Sequence, residues 1–290
     1  MTNRDTPRFS LSLTEKVGLG ACGISVLLAF ADVRLAIVPL ACFLLLCTVA
    51  PFLPRAGLFL PVISRGKSGK RAIAITFDDG PDPLSTPELL KLLQKHGTKA
   101  TFFVTGKRAS RYPEVVRQIL SFGHSLGNHT YSHDNLIMIR DSKTLREEIE
   151  SAQKVLMTFG IKTHVFRPPA GVTSPRLRPI LQEFGLSAIN FSCRALDGGN
   201  RRIDGLSRKI LERLRPDAII VLHDTRPRDE RLLAYWLEEI ELILEGIKKK
   251  GFAVLPLAEL IGKPVMTAGA DVVKPHEQRI FLQHIGSDAR

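Results

Sequence analysis

Cysteine and aromatic residues are sparse in this chain, and one long stretch of it carries no charge at all. Of the four cysteines, Cys22, Cys42 and Cys47 fall in the apolar N-terminal region, which leaves Cys193 alone in everything that follows. A disulfide framework is thereby excluded for that remainder, and Cys193 reads as a small buried hydrophobe. Aromatic residues make up 7% of the sequence with a single tryptophan, and neither a zinc-finger spacing nor an aromatic nucleic-acid-binding signature is present. The formal charge of +12 suits an anionic partner. Because the cations are scattered and form no stripe, membrane phospholipid or a polyanionic saccharide fits better than nucleic acid, and no nucleic-acid or protein partner is expected.

The stretch without charge is Leu35 to Pro54, long enough to span a bilayer, since about 20 helical residues cross a hydrocarbon core of about 30 Å. A shorter apolar run, Val17 to Ala31, precedes it, interrupted at Asp32 and Arg34. These read as a transmembrane helical hairpin turning at Asp32-Val33-Arg34, with a single span behind an interfacial segment as the alternative. A cleaved signal peptide fits less well, because the apolar region is too long and too interrupted. Arg4, Arg8 and Lys16 precede the hairpin and Arg55, Arg65, Lys67, Lys70 and Arg71 follow it, which by the positive-inside tendency puts both ends on the cytoplasmic side of a bacterial membrane. The expected organisation is a polar segment over 1–16, an anchor over 17–54, a basic linker over 55–70, a catalytic domain over 71–261 and a tail over 262–290. That tail mixes Gly, Pro and charge without periodicity and reads as disordered.

From Arg71 onward strand-like and helix-like stretches alternate. Strands are expected at 72–77, 100–104, 125–128, 164–166, 187–192, 218–222 and 252–255, and helices at 87–95, 113–121, 142–159, 175–183, 205–214 and 228–250. This order predicts an α/β fold on a mostly parallel sheet, closed as a barrel or open and doubly wound, with sites at the carboxyl ends of the strands.

The polar residues of interest lie at those ends. Ile73-Ala-Ile-Thr-Phe-Asp-Asp-Gly-Pro is an apolar run ending in Asp78 and Asp79, with Gly80 and Pro81 to turn the chain so that both acids serve one site. Alone, such a pair is more often a turn that caps the next helix. His129 and His133 stand four apart, so on a helical turn they share a face. With a carboxylate they make a two-His, one-carboxylate set that suits zinc or a similar divalent ion with open coordination positions.

Thr76-Phe-Asp-Asp-Gly80, His129-Thr-Tyr-Ser-His133, Arg167-Pro-Pro-Ala-Gly171, Asp197 and Val221-Leu-His223 resemble, in order and spacing, the motifs of the NodB-type polysaccharide deacetylases, carbohydrate esterase family 4. The resemblance covers about 71–260 and implies a distorted (β/α) barrel of about seven parallel strands. It implies further that Asp79, His129 and His133 bind one divalent ion, most simply zinc, and that Asp78 is the general base, paired with Arg167 and held ionised. The backbone N–H of Ala170 would stabilise the oxyanion, and His223, oriented by Asp197, would be the general acid. The implied activity is removal of N-acetyl groups from amino sugars of a glycan, and the membrane anchor, read separately from the apolar runs, points to a substrate at the membrane, a polysaccharide or lipid-linked glycan. The same residues would serve an O-acetyl esterase, and the same fold a noncatalytic saccharide-binding or assembly protein.

Two departures bear on substrate. Ala170 replaces an aromatic residue before the glycine of the arginine motif, and no tryptophan accompanies Asp197, since Trp236 is in an expected helix. Both imply a roomier or differently shaped saccharide cleft.

Overall fold

The structure, a computed structural model, describes residues 11–268. Helices α1 (Leu13–Ala29) and α2 (Val33–Val49) open it as an antiparallel pair. The Ser12 side chain and Glu15 cap α1 reciprocally. Asp32 caps α2 by accepting the Arg34 backbone N–H at 2.8 Å. The turn is therefore earlier than expected: Val33 and Arg34 are the first residues of α2, because the Asp32 carboxylate satisfies a free helix N–H. Likewise Leu13 to Lys16, placed in the polar segment, are helical. Gly18 lets the helices approach, since a Cβ there would lie 2.7 Å from the Phe43 ring. Val33–Phe52 is long and apolar enough to cross a membrane, with mean hydropathy 2.4 and 6% of its apolar window buried. Arg4 and Arg8, used for orientation, lie outside the described residues.

Nine strands form one sheet with every pairing parallel. They are β1 (Val62–Ile63), β2 (Ala72–Asp78), β3 (Thr101–Val104), β4 (Ser125–Asn128), β6 (Val165–Phe166), β7 (Ser187–Ile189), β8 (Cys193–Arg194), β9 (Ala218–His223) and β10 (Ala253–Val254). β5 (Ile161–Thr163) lies apart, antiparallel to β11 (Met266–Ala268). Helices α3 (Ser85–Lys95), α4 (Gly106–Arg111), α5 (Pro113–Ser121), α6 (Ser142–Met157), α7 (Leu177–Phe184), α8 (Leu206–Arg213), α9 (Leu233–Lys249) and α10 (Leu257–Ile261) connect them.

Strand order is β1-β7-β6-β4-β3-β2-β9-β8, with β10 beside the start of β2. The sheet is an incomplete, curled barrel, and chain length explains the curl. β7 and β8 are six strand positions apart, about 29 Å if the sheet were flat, yet the four-residue step from Ile189 to Cys193 reaches only about 14 Å. The sheet must bend until its margins approach. This short crossing is also why the strand expected over 187–192 stops at Ile189: Asn190 N–H bonds to the Ile63 carbonyl on one side of the gap, and Ser192 N–H bonds to Ile219 on the other.

Alternation along β2 assigns its two faces. Ile73, Ile75 and Phe77 pack with Leu89, Leu90, Val116, Ile240 and Trp236 of the surrounding helices. Ala72 and Ala74 face inward with Phe103, Val165, Ile189 and Ile219, where Leu257, Leu260 and Ile261 of α10 plug one end. Thr76 and Asp78 continue that inward row toward the carboxyl end. The tail departs from expectation at β11, which orders because the Val265 carbonyl accepts the His164 N–H at 2.8 Å. Residues 269–290 of the expected disordered tail lie outside the described residues.

Candidate active site

Asp78 is the last residue of β2, in register with Phe103 on one neighbouring strand and His223 on the other. It is 4% exposed, and Arg167, at the end of β6, is 0% exposed. Arg167 Nη1 donates to Asp78 Oδ1 at 2.6 Å and to the Thr76 hydroxyl at 2.7 Å, while Nη2 donates to the Asn190 carbonyl at 3.3 Å. Its guanidinium lies 4.0 Å from the centre of the Phe103 ring. Phe103 needs Gly127 beside it, because a Cβ there would fall 2.5 Å from the ring. The small inward residues Ala72, Ala74 and Thr76 leave room for this large cation inside the barrel.

The chain turns at Asp79 itself, whose φ is 72°, and not first at Gly80-Pro81 as expected. The left-handed residue breaks strand alternation, so both acids face one cleft. Gly80 then passes over Asp224, with space for a Cβ blocked at 2.4 Å by Asp224 Oδ2. Asp224 is wholly buried, accepts the Thr86 hydroxyl at 2.8 Å, and burial pushes its carboxyl well above the usual range. It therefore supports the acidic loop, and its own N–H donates to the Asp78 carbonyl at 2.8 Å. Nearby Asp82 caps α3 through the Leu84 and Ser85 N–H groups and pairs with Arg108 at 3.2 Å.

His129 and His133 follow β4 in a loop and not on a helical turn: Thr130 and His133 have φ of 64° and 60°. Their rings are still brought within 4.7 Å, centre to centre. Three groups that the sequence reading missed shape the loop. Asn128 Oδ1 accepts the Thr130 N–H at 2.9 Å, and the Glu148 carboxylate accepts the Tyr131 and Ser132 N–H groups at 3.0 and 2.8 Å. The Thr130 hydroxyl accepts the His133 N–H at 3.2 Å. Asn128, directly before His129 at a strand end, carried a readable signal; Glu148, in a distant helix, did not.

Asp79 Oδ1 lies 3.3 Å from His129 Nε2 and 3.0 Å from His133 Nε2. Burial opposes the Asp79 charge, but the two histidine contacts outweigh it and hold the carboxyl well below the usual range. Burial likewise opposes charge on His133, and Asp79 outweighs it and raises that imidazole. His129 Nδ1 donates to the Arg167 carbonyl at 2.7 Å, which orients the ring with Nε2 toward Asp79 and His133, where it could ligate a metal. The three ligand atoms lie within 4.8 Å of one another, so the set fits a single metal ion chemically as well as spatially.

Across the cleft His223 Nδ1 donates to Asp197 Oδ2 at 2.7 Å. Burial opposes charge on His223, but the Asp197 hydrogen bond and charge, with those of Asp79 and Asp78, raise its pKa to about 9. Asn200, also missed in the sequence, donates to the His223 and Thr225 carbonyls at 3.0 and 2.5 Å and fixes this strand end. Ala170 is exposed with φ 55° and lines the same cleft of about 750 Å³. Phe191 is the aromatic residue in its wall, whereas Trp236 is buried in the core. Arg194, Arg201 and Arg202 make its rim basic. Every site residue expected from the sequence is thus brought to this cleft or directly beneath it.

The profile of the polysaccharide deacetylase family matches residues 65–189. A chitooligosaccharide deacetylase from Azorhizobium caulinodans is 36% identical over 204 residues, 67% of this chain and 96% of that protein. A solved peptidoglycan N-acetylglucosamine deacetylase superposes with a TM-score of 0.63 at 28% identity, over 72% of this chain and 94% of that one. A family 4 pseudoenzyme from Bacillus anthracis shares the fold as well, with a TM-score of 0.62 at 23% identity over 69% of this chain and 68% of its own. The fold alone therefore does not decide catalysis; the side chains in the cleft carry that argument.

Proposed function

Because this chain belongs to the polysaccharide deacetylase family, whose named relatives are hydrolases of non-peptide amide bonds, we propose that it removes N-acetyl groups from amino sugars of a glycan while anchored in a membrane by the α1–α2 hairpin. The observation that carries this reading is the convergence on one cleft of Asp78–Arg167, of Asp79 with His129 and His133, and of His223–Asp197. Asp79, His129 and His133 would hold one divalent ion, zinc by donor type, and when bound it polarises an acetamido carbonyl and acidifies water.

The protein groups divide the proton work. Asp78 Oδ1 is engaged by Arg167, which leaves Oδ2 to take a proton from the attacking water. His223, with Nδ1 held by Asp197, gives the proton on Nε2 to the departing amine. The Ala170 backbone N–H is the donor assigned to the oxyanion. The products are a free amine and acetate. With Lys16 in the first turn of α1 and Arg55 and Arg65 after α2, the catalytic domain is assigned to the cytoplasmic face. Acetate release from N-acetylated saccharides, measured with added zinc, tests the reading: wild type turns over and Asp78→Asn does not. Equal inertness of the two proteins across a broad saccharide panel would overturn it.

A further inference from the structure

The catalytic cleft does not end at its own wall. A second cleft, of about 720 Å³, shares Ala170, Gly171, Phe191 and Arg194 with it, and its far side is built from 52–56, where the chain leaves the hairpin. Ala170 and Gly171 are too small to partition the two. Beyond lies a third cavity, of about 570 Å³, between hairpin and domain, which shares Phe52 and Val172 with the second and is lined by Phe43, Pro51, Phe59 and Met138. The three spaces run in order from catalytic carboxylates, through a basic compartment, to an apolar one beside α2.

The middle compartment is basic because of Arg55, Arg194 and Arg213. Arg55 donates to the Phe191 carbonyl at 3.1 Å, Arg213 donates to the Arg194 carbonyl at 2.8 Å, and the Arg194 guanidinium lies 5.4 Å from the centre of the Phe191 ring. None of the three has a carboxylate partner among the described residues. Backbone carbonyls orient two of these cations without neutralising them, and guanidinium groups held so are suited to phosphate oxygens. Their neighbours Phe52 and Leu53 are exposed apolar residues at the end of the membrane-length segment. A neutral soluble saccharide would use neither the charge nor the apolar surface.

Resting on the deacetylase reading above, we propose that the substrate is an amino sugar carried on a lipid phosphate. The acetamido sugar occupies the catalytic cleft, its phosphate or diphosphate lies among Arg55, Arg194 and Arg213, and the hydrocarbon chain leaves past Phe52 toward the apolar cavity. The hairpin is then part of the binding site as well as a tether.

The test uses full-length protein in neutral phosphatidylcholine vesicles and compares kcat/KM for acetate release from three probes: polyprenyl-diphosphate N-acetylglucosamine, soluble N-acetylglucosamine 1-phosphate, and a neutral N-acetylglucosamine oligomer. The lipid-linked probe is expected to exceed the oligomer at least tenfold, and in Arg55→Gln/Arg213→Gln the ratio falls toward one. A soluble phosphate as good as the lipid-linked probe would assign the site to free sugar phosphates and overturn the lipid part. Equal kcat/KM for lipid-linked and neutral probes would overturn the inference while leaving the deacetylase reading intact. No acetate from any probe would count against the deacetylase reading, and equilibrium binding of the lipid-linked probe then decides the phosphate subsite: tenfold weaker binding by the double variant supports it, and equal affinity overturns it.

Discussion

Replacing Arg167 with methionine removes the one cation that compensates Asp78 inside the barrel. The pair is 2.6 Å apart, both side chains are nearly inaccessible, and no other cation is within ion-pair distance of Asp78 among the described residues. Methionine keeps much of the volume, so the main loss is electrostatic: a buried carboxylate left alone costs about 3–5 kcal/mol. With a urea slope of about 2 kcal/mol/M, a loss of about 4 kcal/mol moves the unfolding midpoint down by about 2 M. Trp236, the single tryptophan and fully buried, reports that transition by fluorescence in detergent-solubilised protein. The double variant Asp78→Leu/Arg167→Met recovers most of the loss, since exchanging a buried pair for apolar groups is near neutral, though the Asn190 carbonyl loses its donor. Both variants lack activity. A single-variant cost below about 1 kcal/mol, or a double variant as unstable as the two singles summed, would refute the claim that this is a mutually dependent buried pair.

His223 is raised to about 9, and as the proposed general acid it would act in its protonated form, so kcat/KM is expected to be full at lower pH on this limb and to fall as pH rises through that value. Asp197→Asn shifts the limb down toward the ordinary imidazole value of about 6.5, measured as a pH–rate profile. His124 behaves oppositely: burial and the nearby Lys99 push it down to about 4, so it folds neutral, and stability is lost as pH falls from about 6.5 to 4. That loss amounts to about 3 kcal/mol, and His124→Phe flattens the difference between urea midpoints at high and low pH across that window. Gly80→Ala drives a Cβ into Asp224 and displaces the loop bearing Asp78 and Asp79; turnover drops about 100-fold, and Asp224→Ala in the same chain restores part of it.

The sheet was legible where strands are long and buried. β2 and β9 are apolar runs with abrupt polar ends, and their expected bounds fall within one residue of those observed. β1 and β8 have two residues each and owe their pairing to the curl of the sheet, which no local pattern announces. The helix starts expected at Pro113 and Ser142 are the ones observed. α10 was missed because five residues hold too little periodicity to distinguish a plug from a loop. In the cleft, the side chains proposed for metal ligation and acid–base work stood out by motif, whereas their backbone geometry did not. Left-handed Asp79, Thr130 and His133 are conformations that glycine would have signalled, but here the histidine loop is supported by its N–H groups donating to a distant carboxylate, that of Glu148. Asp224 illustrates the same limit: its role depends on Gly80, far away in sequence and in contact only after folding.

The account depends on Asp79, His129 and His133 gathering one cation beside Asp78. Titrating chelator-stripped full-length protein with zinc while following both bound metal and acetate release measures this directly. Activity is expected to rise linearly to one zinc per chain and then to level, with neither binding nor turnover in His129→Ala/His133→Ala. Full acetate release from the stripped protein, or from the double variant, would contradict it.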